Sequence, residues 1–184
     1  MTPEQKLEKF ERVKELKPAE TLRRIGLAPE AAFADIGAGT GLFTLAAAAL
    51  TRGTVYALEI DPELLDIIAR KADAAGADNV RCSRVTDEGF ALPQGAVDVA
   101  LLCTVLHNPG IPDKVRFLSD VAALLKPGGR LAVIEFHKRE TPMGPGVEKR
   151  LGPDAVDALT SAAAFSPADA FDLGDNFYCA VYRK

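Results

Sequence analysis

The sequence predicts a doubly wound α/β fold on a mostly parallel sheet, and three observations carry that expectation. Short apolar runs alternate with helical stretches from residue 32 to residue 136. The first run, Ala32-Phe33-Ala34-Asp35-Ile36, leads into Gly37-Ala38-Gly39-Thr40-Gly41 and then into the apolar stretch Leu42 to Leu50. That order is strand, tight turn, helix. The run from Val97 to Leu102 is almost continuously apolar, as strands buried on both faces are.

The individual elements follow from local signals. Thr2-Pro3-Glu4-Gln5 has the pattern of a capping box with proline at the first helical position. Leu7, Phe10, Val13 and Leu16 then recur at helical spacing. Pro18 restarts a helix that closes at Ile25-Gly26, so residues 1–26 form an N-terminal helical segment. It is expected to pack on the sheet or cover a ligand mouth. Strands are expected at 32–36, 54–59, 80–85 and 97–102. A helix fills 42–50. Asp61-Pro62 opens another that runs to Ala75, with Gly76 as its stop. Pro112 to Leu125 is a helix, and Lys126-Pro127-Gly128-Gly129 turns the chain into a strand over 130–136. The end differs in pattern: a helix over 153–164, then a short strand, 170–173. Gly174-Asp175-Asn176 is a three-residue hairpin turn, and the return strand covers 177–182. Between them lies a long loop, 137–152, which is a candidate substrate lid.

Composition narrows the function classes. At 184 residues, 48% of them hydrophobic, the chain is read as a single domain with a sizeable core. A net charge of −4 argues against an electrostatic grip on nucleic acid or on anionic membrane. Cys82, Cys103 and Cys179 share no metal-binding spacing and read as reduced core thiols of a cytoplasmic protein. With only two histidines, no metal site is expected. The polar start, Met1 to Lys6, has no apolar signal region, and no stretch is long enough to cross a bilayer.

The glycine turn points to a ligand. Glycine admits positive φ and removes the Cβ, so backbone can approach a bound molecule closely. The following helix turns its free N–H groups toward the same place. The second strand, Thr54 to Leu58, ends at Glu59, and a carboxylate at that tip can accept both hydroxyls of a ribose. A dinucleotide fingerprint reads G-x-G-x-x-G, whereas these glycines stand at 37, 39 and 41. Asp35, just before them, repels a pyrophosphate and attracts an ammonium or sulfonium group. The features describe a pocket for a cationic, phosphate-free nucleoside.

The segments DIGAGTG, LEIDPELL, LPQGAVDVALLCTVLH and LKPGGRLAVIEFHK, in this order, resemble the class I S-adenosylmethionine-dependent methyltransferases. The similarity is greatest to the small-molecule branch that includes quinone-pathway C-methyltransferases. It implies a Rossmann-like, seven-stranded, mostly parallel sheet with a C-terminal antiparallel hairpin strand. It also implies S-adenosylmethionine as cofactor and a small-molecule acceptor. Asp35 would then face the methionyl ammonium, or else serve only as a partner of the helix N-terminus. Gly37, Ala38, Gly39, Thr40 and Gly41 would wrap the methionyl and ribose parts. Glu59 would hold the ribose and Ile60 would press on the adenine. The family places an acid after the third strand, here Asp87 or Glu88, to accept from the adenine amino group. Backbone at Cys103 would approach the methionyl group.

His107, just past the fourth strand, is the candidate general base, with capping or backbone anchoring as the alternative. Glu135 and His137 occupy another strand tip and suit either a rim or an anchoring role. Lys138, Arg139, Lys149 and Arg150 read as a solvated surface diluted by Glu140 and Glu148. Two rival functions use the same fold: methylation of protein or RNA, and binding of the cofactor without turnover. The acidic balance and the absence of an Asn-Pro-Pro-Tyr-like segment after the fourth strand weigh against the first.

Overall fold

The computed structural model describes residues 10–184. The capping box at residues 2–5 and Leu7 lie outside the described residues. Two short helices come first, α1 (Phe10–Leu16) and α2 (Pro18–Arg24), separated by Lys17 in a left-handed conformation. Alternation follows: β1 (Phe33–Ile36), α3 (Leu42–Ala48), β2 (Val55–Glu59), α4 (Pro62–Ala75), β3 (Val80–Arg84), β4 (Val97–Cys103), α5 (Lys114–Leu124) and β5 (Leu125–Phe136). The chain ends with α6 (Pro153–Ala162), β6 (Ser166–Leu173) and β7 (Phe177–Arg183).

The strands form one seven-stranded sheet in the order β3-β2-β1-β4-β5-β7-β6. Pairings from β3 to β5 are parallel, and β7 runs antiparallel to both neighbours. The expected sheet with its C-terminal hairpin is therefore what the chain builds. Gly174-Asp175-Asn176 spans the gap between β6 and β7 as its turn chemistry requires. Strand order reverses between β1 and β4, which opens a crevice beyond their carboxyl ends.

Side-chain alternation divides the core in two. Phe33, Val99, Leu101 and Ile134 face α1, α2 and α3 through Leu16, Leu22, Ile25 and Phe43. Ala34, Ala100, Leu102 and Val133 face α5 and α6 through Leu118, Val121 and Val156. Each fully buried aliphatic side chain of this kind contributes about 1.5–3 kcal/mol.

Some boundaries differ from expectation for identifiable reasons. Phe10 is 74% exposed, so the apolar stripe of α1 narrows to its C-terminal end at Leu16. α5 starts at Lys114 because Asp113 caps it, its carboxylate accepting from Arg116 N at 2.9 Å. β5 begins at Leu125, which pairs with Val97; residues 126–129 bulge out before Arg130 pairs with Val99. β6 is longer than foreseen because β7 pairs with seven of its eight residues, from Ser166 to Leu173. It is one of the two outer strands of the sheet, with β3 at the other edge, and is mostly exposed.

Two buried charges shape the ligand end. Asp35, at the tip region of β1, is 2% exposed, and its Oδ2 accepts from Thr44 Oγ1 in α3 at 2.7 Å. Burial, opposed by the Thr44 hydrogen bonds and reinforced by Glu59, pushes its pKa up from 3.8 to about 6. Arg150 was expected in a solvated surface; it is 4% exposed instead. Its guanidinium donates to the carbonyls of His137, Arg139, Met143 and Pro145 and to Thr141 Oγ1, at 2.7–3.0 Å. One cation thus organises the loop 137–152 by satisfying main-chain acceptors that would otherwise lack partners.

Two outcomes follow from these charges. Stability from the protonated Asp35 is present below pH 3.8 and is lost as pH rises through about 6. The Asp35→Asn protein should gain on wild type by on the order of 3 kcal/mol between pH 4 and pH 7. Paired thermal melts across that range test this, and a pH-independent difference would refute the assignment. Arg150→Met should leave far-ultraviolet dichroism intact while trypsin cuts faster at Lys138, Arg139 or Lys149. An unchanged digestion rate would show that the loop holds itself.

Candidate functional site

A cavity of about 380 Å³ lies beyond the carboxyl ends of β1, β2 and β4. Ile36, Gly37, Gly39 and Thr40 form its floor, and Glu59 and Ile60 one side. Across from these stand Cys103, Thr104 and Val105, continued by Asn108, Gly110 and Ile111. Leu64, Val85, Phe90 and Phe117 make the remaining wall apolar.

The glycine turn keeps its shape for steric reasons. Gly37 has φ +71, and a Cβ there would stand 2.5 Å from Val105 Cγ2. Gly41 has φ +84, and a Cβ there would meet Ile68 of α4 at 3.0 Å. Backbone is thus pressed against both flanking elements, which only glycine permits.

Glu59 ties this turn to the sheet. Its Oε2 accepts from Gly39 N at 2.8 Å, while Oε1 accepts from Ile60 N at 2.8 Å and Asp61 N at 3.3 Å. A carboxylate offers roughly four acceptor positions, so one remains on the cavity side. Ile60 is 65% exposed, an unusual situation for a large apolar residue, and it lies on the cavity edge.

The opposite wall is held by Glu135, 1% exposed at the end of β5. Its Oε1 accepts from His107 N at 3.1 Å, and His107 Nδ1 lies 2.7 Å from its Oε2. The pair fixes the loop that carries Asn108, Gly110 and Ile111 into the wall. Thr104, at the head of that loop, has φ 59, a strained value for a β-branched residue. Its N–H still reaches Ile134 O at 2.7 Å.

Several residues singled out by sequence meet at the cavity: Gly37, Gly39, Thr40, Glu59, Ile60 and Cys103. Burial raises the Cys103 thiol to about 11, partly offset by Arg12, so it is an unreactive wall group; Cys179 is buried as expected, but Cys82, expected in the core, is exposed because β3 is an edge strand. Others are placed elsewhere. Asp35 lies beneath the turn, bound to Thr44 of α3, which corresponds to its alternative role as a partner of the helix that follows the turn. Ala38 is buried and Gly41 packs on Ile68, so both support the floor without lining it. Neither Asp87 nor Glu88 lines the cavity: a bridge between Thr86 and Gly89 closes a tight turn that leaves both exposed. Phe90 and Val85 occupy the wall there. His107 is spent on Glu135 and does not line the cavity. Glu135 anchors the His107 loop, and His137 is held by its main chain, its N donating to Asn176 O at 2.9 Å and its carbonyl accepting from Arg150 at 3.0 Å, while its buried Nε2 has no hydrogen-bond partner among the described residues.

Sequence reasoning missed Arg12, Thr104, Phe90 and Ile111. The first comes from the N-terminal helix and meets Cys103 and Thr104 only through the fold. Phe90 and Ile111 sit in irregular segments where periodicity says nothing. Among the described residues no cluster of histidine, cysteine or carboxylate side chains has the arrangement of a metal site. No described helix is long and apolar enough to cross a membrane.

Known proteins share this fold. A solved structure of an S-adenosylmethionine-dependent methyltransferase from Aquifex aeolicus superposes with a TM-score of 0.91. The match covers 100% of this chain and 98% of that one at 22% identity, a likeness of fold. A demethylmenaquinone methyltransferase from Tropheryma whipplei is 35% identical over 102 residues, 55% of this chain and 40% of that protein. A ubiquinone/menaquinone biosynthesis C-methyltransferase from Hahella chejuensis is 29% identical over 126 residues, 67% of this chain and 50% of that protein. The chain thus spans about half the length of the curated relatives it matches. The methyltransferase-domain family matches residues 34–131, more than half of the sequence. By that match, which runs from the strand bearing Asp35 into β5, the chain belongs to the methyltransferase-domain family.

Proposed function

We propose that the chain is an S-adenosylmethionine-dependent methyltransferase that passes its methyl group to a small-molecule acceptor by in-line displacement. The observation that carries this reading is the Glu59 carboxylate, stitched to Gly39 and Ile60 in the wall of an apolar cavity. With one acceptor position left, it suits a ribose hydroxyl better than a phosphate, which it would repel.

The remaining wall fits the rest of the cofactor. Ile60 offers an exposed apolar plate, and Val85 and Phe90 stand near it, a setting suited to a flat base. Asp87 and Glu88 flank that end from the surface, and backbone groups hold the base in this reading. Asp35, under the turn, favours a cation above it through its field and through water.

The bound cofactor supplies a methyl group already activated by its sulfonium. The chain's own task is positional. Gly37 and Gly39 let backbone close on the ligand, and Val105 and Ile111 exclude water. The Glu135–His107 pair holds the acceptor-side loop at one distance from the glycine turn. Orientation of this kind lowers barriers by about 7–11 kcal/mol in well-aligned systems. A cavity of about 380 Å³ is in the range of small-ligand sites. The quinone-methylating relatives support a ring-bearing acceptor.

Calorimetry with S-adenosylhomocysteine tests the reading. Wild type should bind; Glu59→Gln should bind more weakly; Glu59→Ala should lose about tenfold or more, the worth of one hydrogen bond to a charged group. Equal affinity in wild type and Glu59→Ala would remove the ribose assignment. Saturation by NAD in place of the nucleoside would assign the pocket to a dinucleotide.

A further inference from the structure

Among the described residues no anion stands beside the guanidinium of Arg12. It reaches from α1 into the cavity wall, where Nη2 donates to Thr104 Oγ1 at 3.3 Å and toward Cys103 Sγ at 3.7 Å. Both are neutral acceptors, and sulfur is a weak one. Nε is buried with no acceptor. Among the described residues no carboxylate lies at ion-pair distance from it. The Phe177 ring, 5.6 Å away, gives it a cation–π contact only. A charged donor left unpaired in a wall is unfavourable.

The fold nevertheless holds it there. One turn further along α1, Glu15 accepts from Asn176 N at 3.0 Å and from Asn176 Nδ2 at 2.5 Å. That contact fastens the helix to the β6–β7 turn and aims Arg12 at the tip of β4. Thr104, which receives it, is in the strained left-handed conformation. Helix and loop thus present a planar fork of N–H donors to the cavity from the β4 side. β1 separates that side from β2, which carries Glu59.

We propose that Arg12 is an anion-binding residue of this cavity, taking a carboxylate or comparable anionic oxygen on its β4 side. The inference rests on the cofactor reading above, because two molecules bring such a group there. One is the cofactor, whose methionyl end carries a carboxylate. The other is an acceptor that is ionised next to the methyl group. Guanidinium matches either, since its paired donors fit two oxygens at once.

Calorimetry on wild type, Arg12→Met and Arg12→Lys distinguishes the sources. Three probes are used: S-adenosylhomocysteine, 5′-methylthioadenosine, which lacks the amino-acid portion, and benzoate added to protein saturated with S-adenosylhomocysteine. If the cofactor carboxylate is the partner, Arg12→Met weakens S-adenosylhomocysteine about tenfold or more and leaves methylthioadenosine unchanged. If the acceptor is the partner, both nucleosides bind as in wild type and benzoate binding is lost. Arg12→Lys keeps the charge and should fall between; it replaces Arg12→Met in the comparison should thermal melts show the latter unfolded. Variants indistinguishable from wild type towards all three probes overturn the proposal alone. A wild type that binds no S-adenosylhomocysteine overturns the cofactor reading and this inference together.

Discussion

The Glu59 carboxylate is the constraint on which the ligand end depends. A turn with three glycines at alternate positions has little stiffness of its own. Glu59 supplies it by accepting from Gly39 on one side and from Ile60 and Asp61 on the other. The end of β2, the start of α4 and the glycine turn therefore move as one body. Without that carboxylate, each N–H would face an apolar cavity with no partner, at a cost of about 1–3 kcal/mol per group.

The far wall uses the same device with other residues. Glu135 takes both a main-chain N–H and a ring nitrogen of His107, and Arg150 takes four carbonyls and a hydroxyl. In each case a buried charge is satisfied by hydrogen bonds with backbone groups and one side chain. Such charges organise irregular segments that have no sheet or helix to hold them. Arg12 departs from this pattern, since its acceptors are few and weak.

The sheet was legible because its signals are local. Asp61 and Gly76 bound α4 at the residues where capping chemistry puts them. The three-residue hairpin turn came out as read. The floor and the tip of β2 were legible too, since glycine spacing and a terminal acid survive in the linear text. What lay hidden depends on residues distant in sequence. Whether Asp35 points up to a ligand or down is decided by Thr44, nine positions on. Arg150 looks like one of four surface cations until residues 137–145 fold around it. Arg12 meets Thr104 from 92 positions away in the chain. Asp87 and Glu88 stand exposed in the turn closed by the Thr86–Gly89 bridge, a placement that spacing alone does not show.

The outer strand β6 has a consequence for how the protein behaves among its own copies. An exposed strand edge is a template for intermolecular pairing and, from there, for aggregation. This one carries Pro167, which has no N–H to offer, and a register irregularity next to it. Asp169 and Asp172 place negative charge along it, and Arg24 lies over Phe171 while pairing with Asp169. An incoming strand would meet a missing donor, a kink and two like charges in succession, which keeps the open side of the sheet from growing.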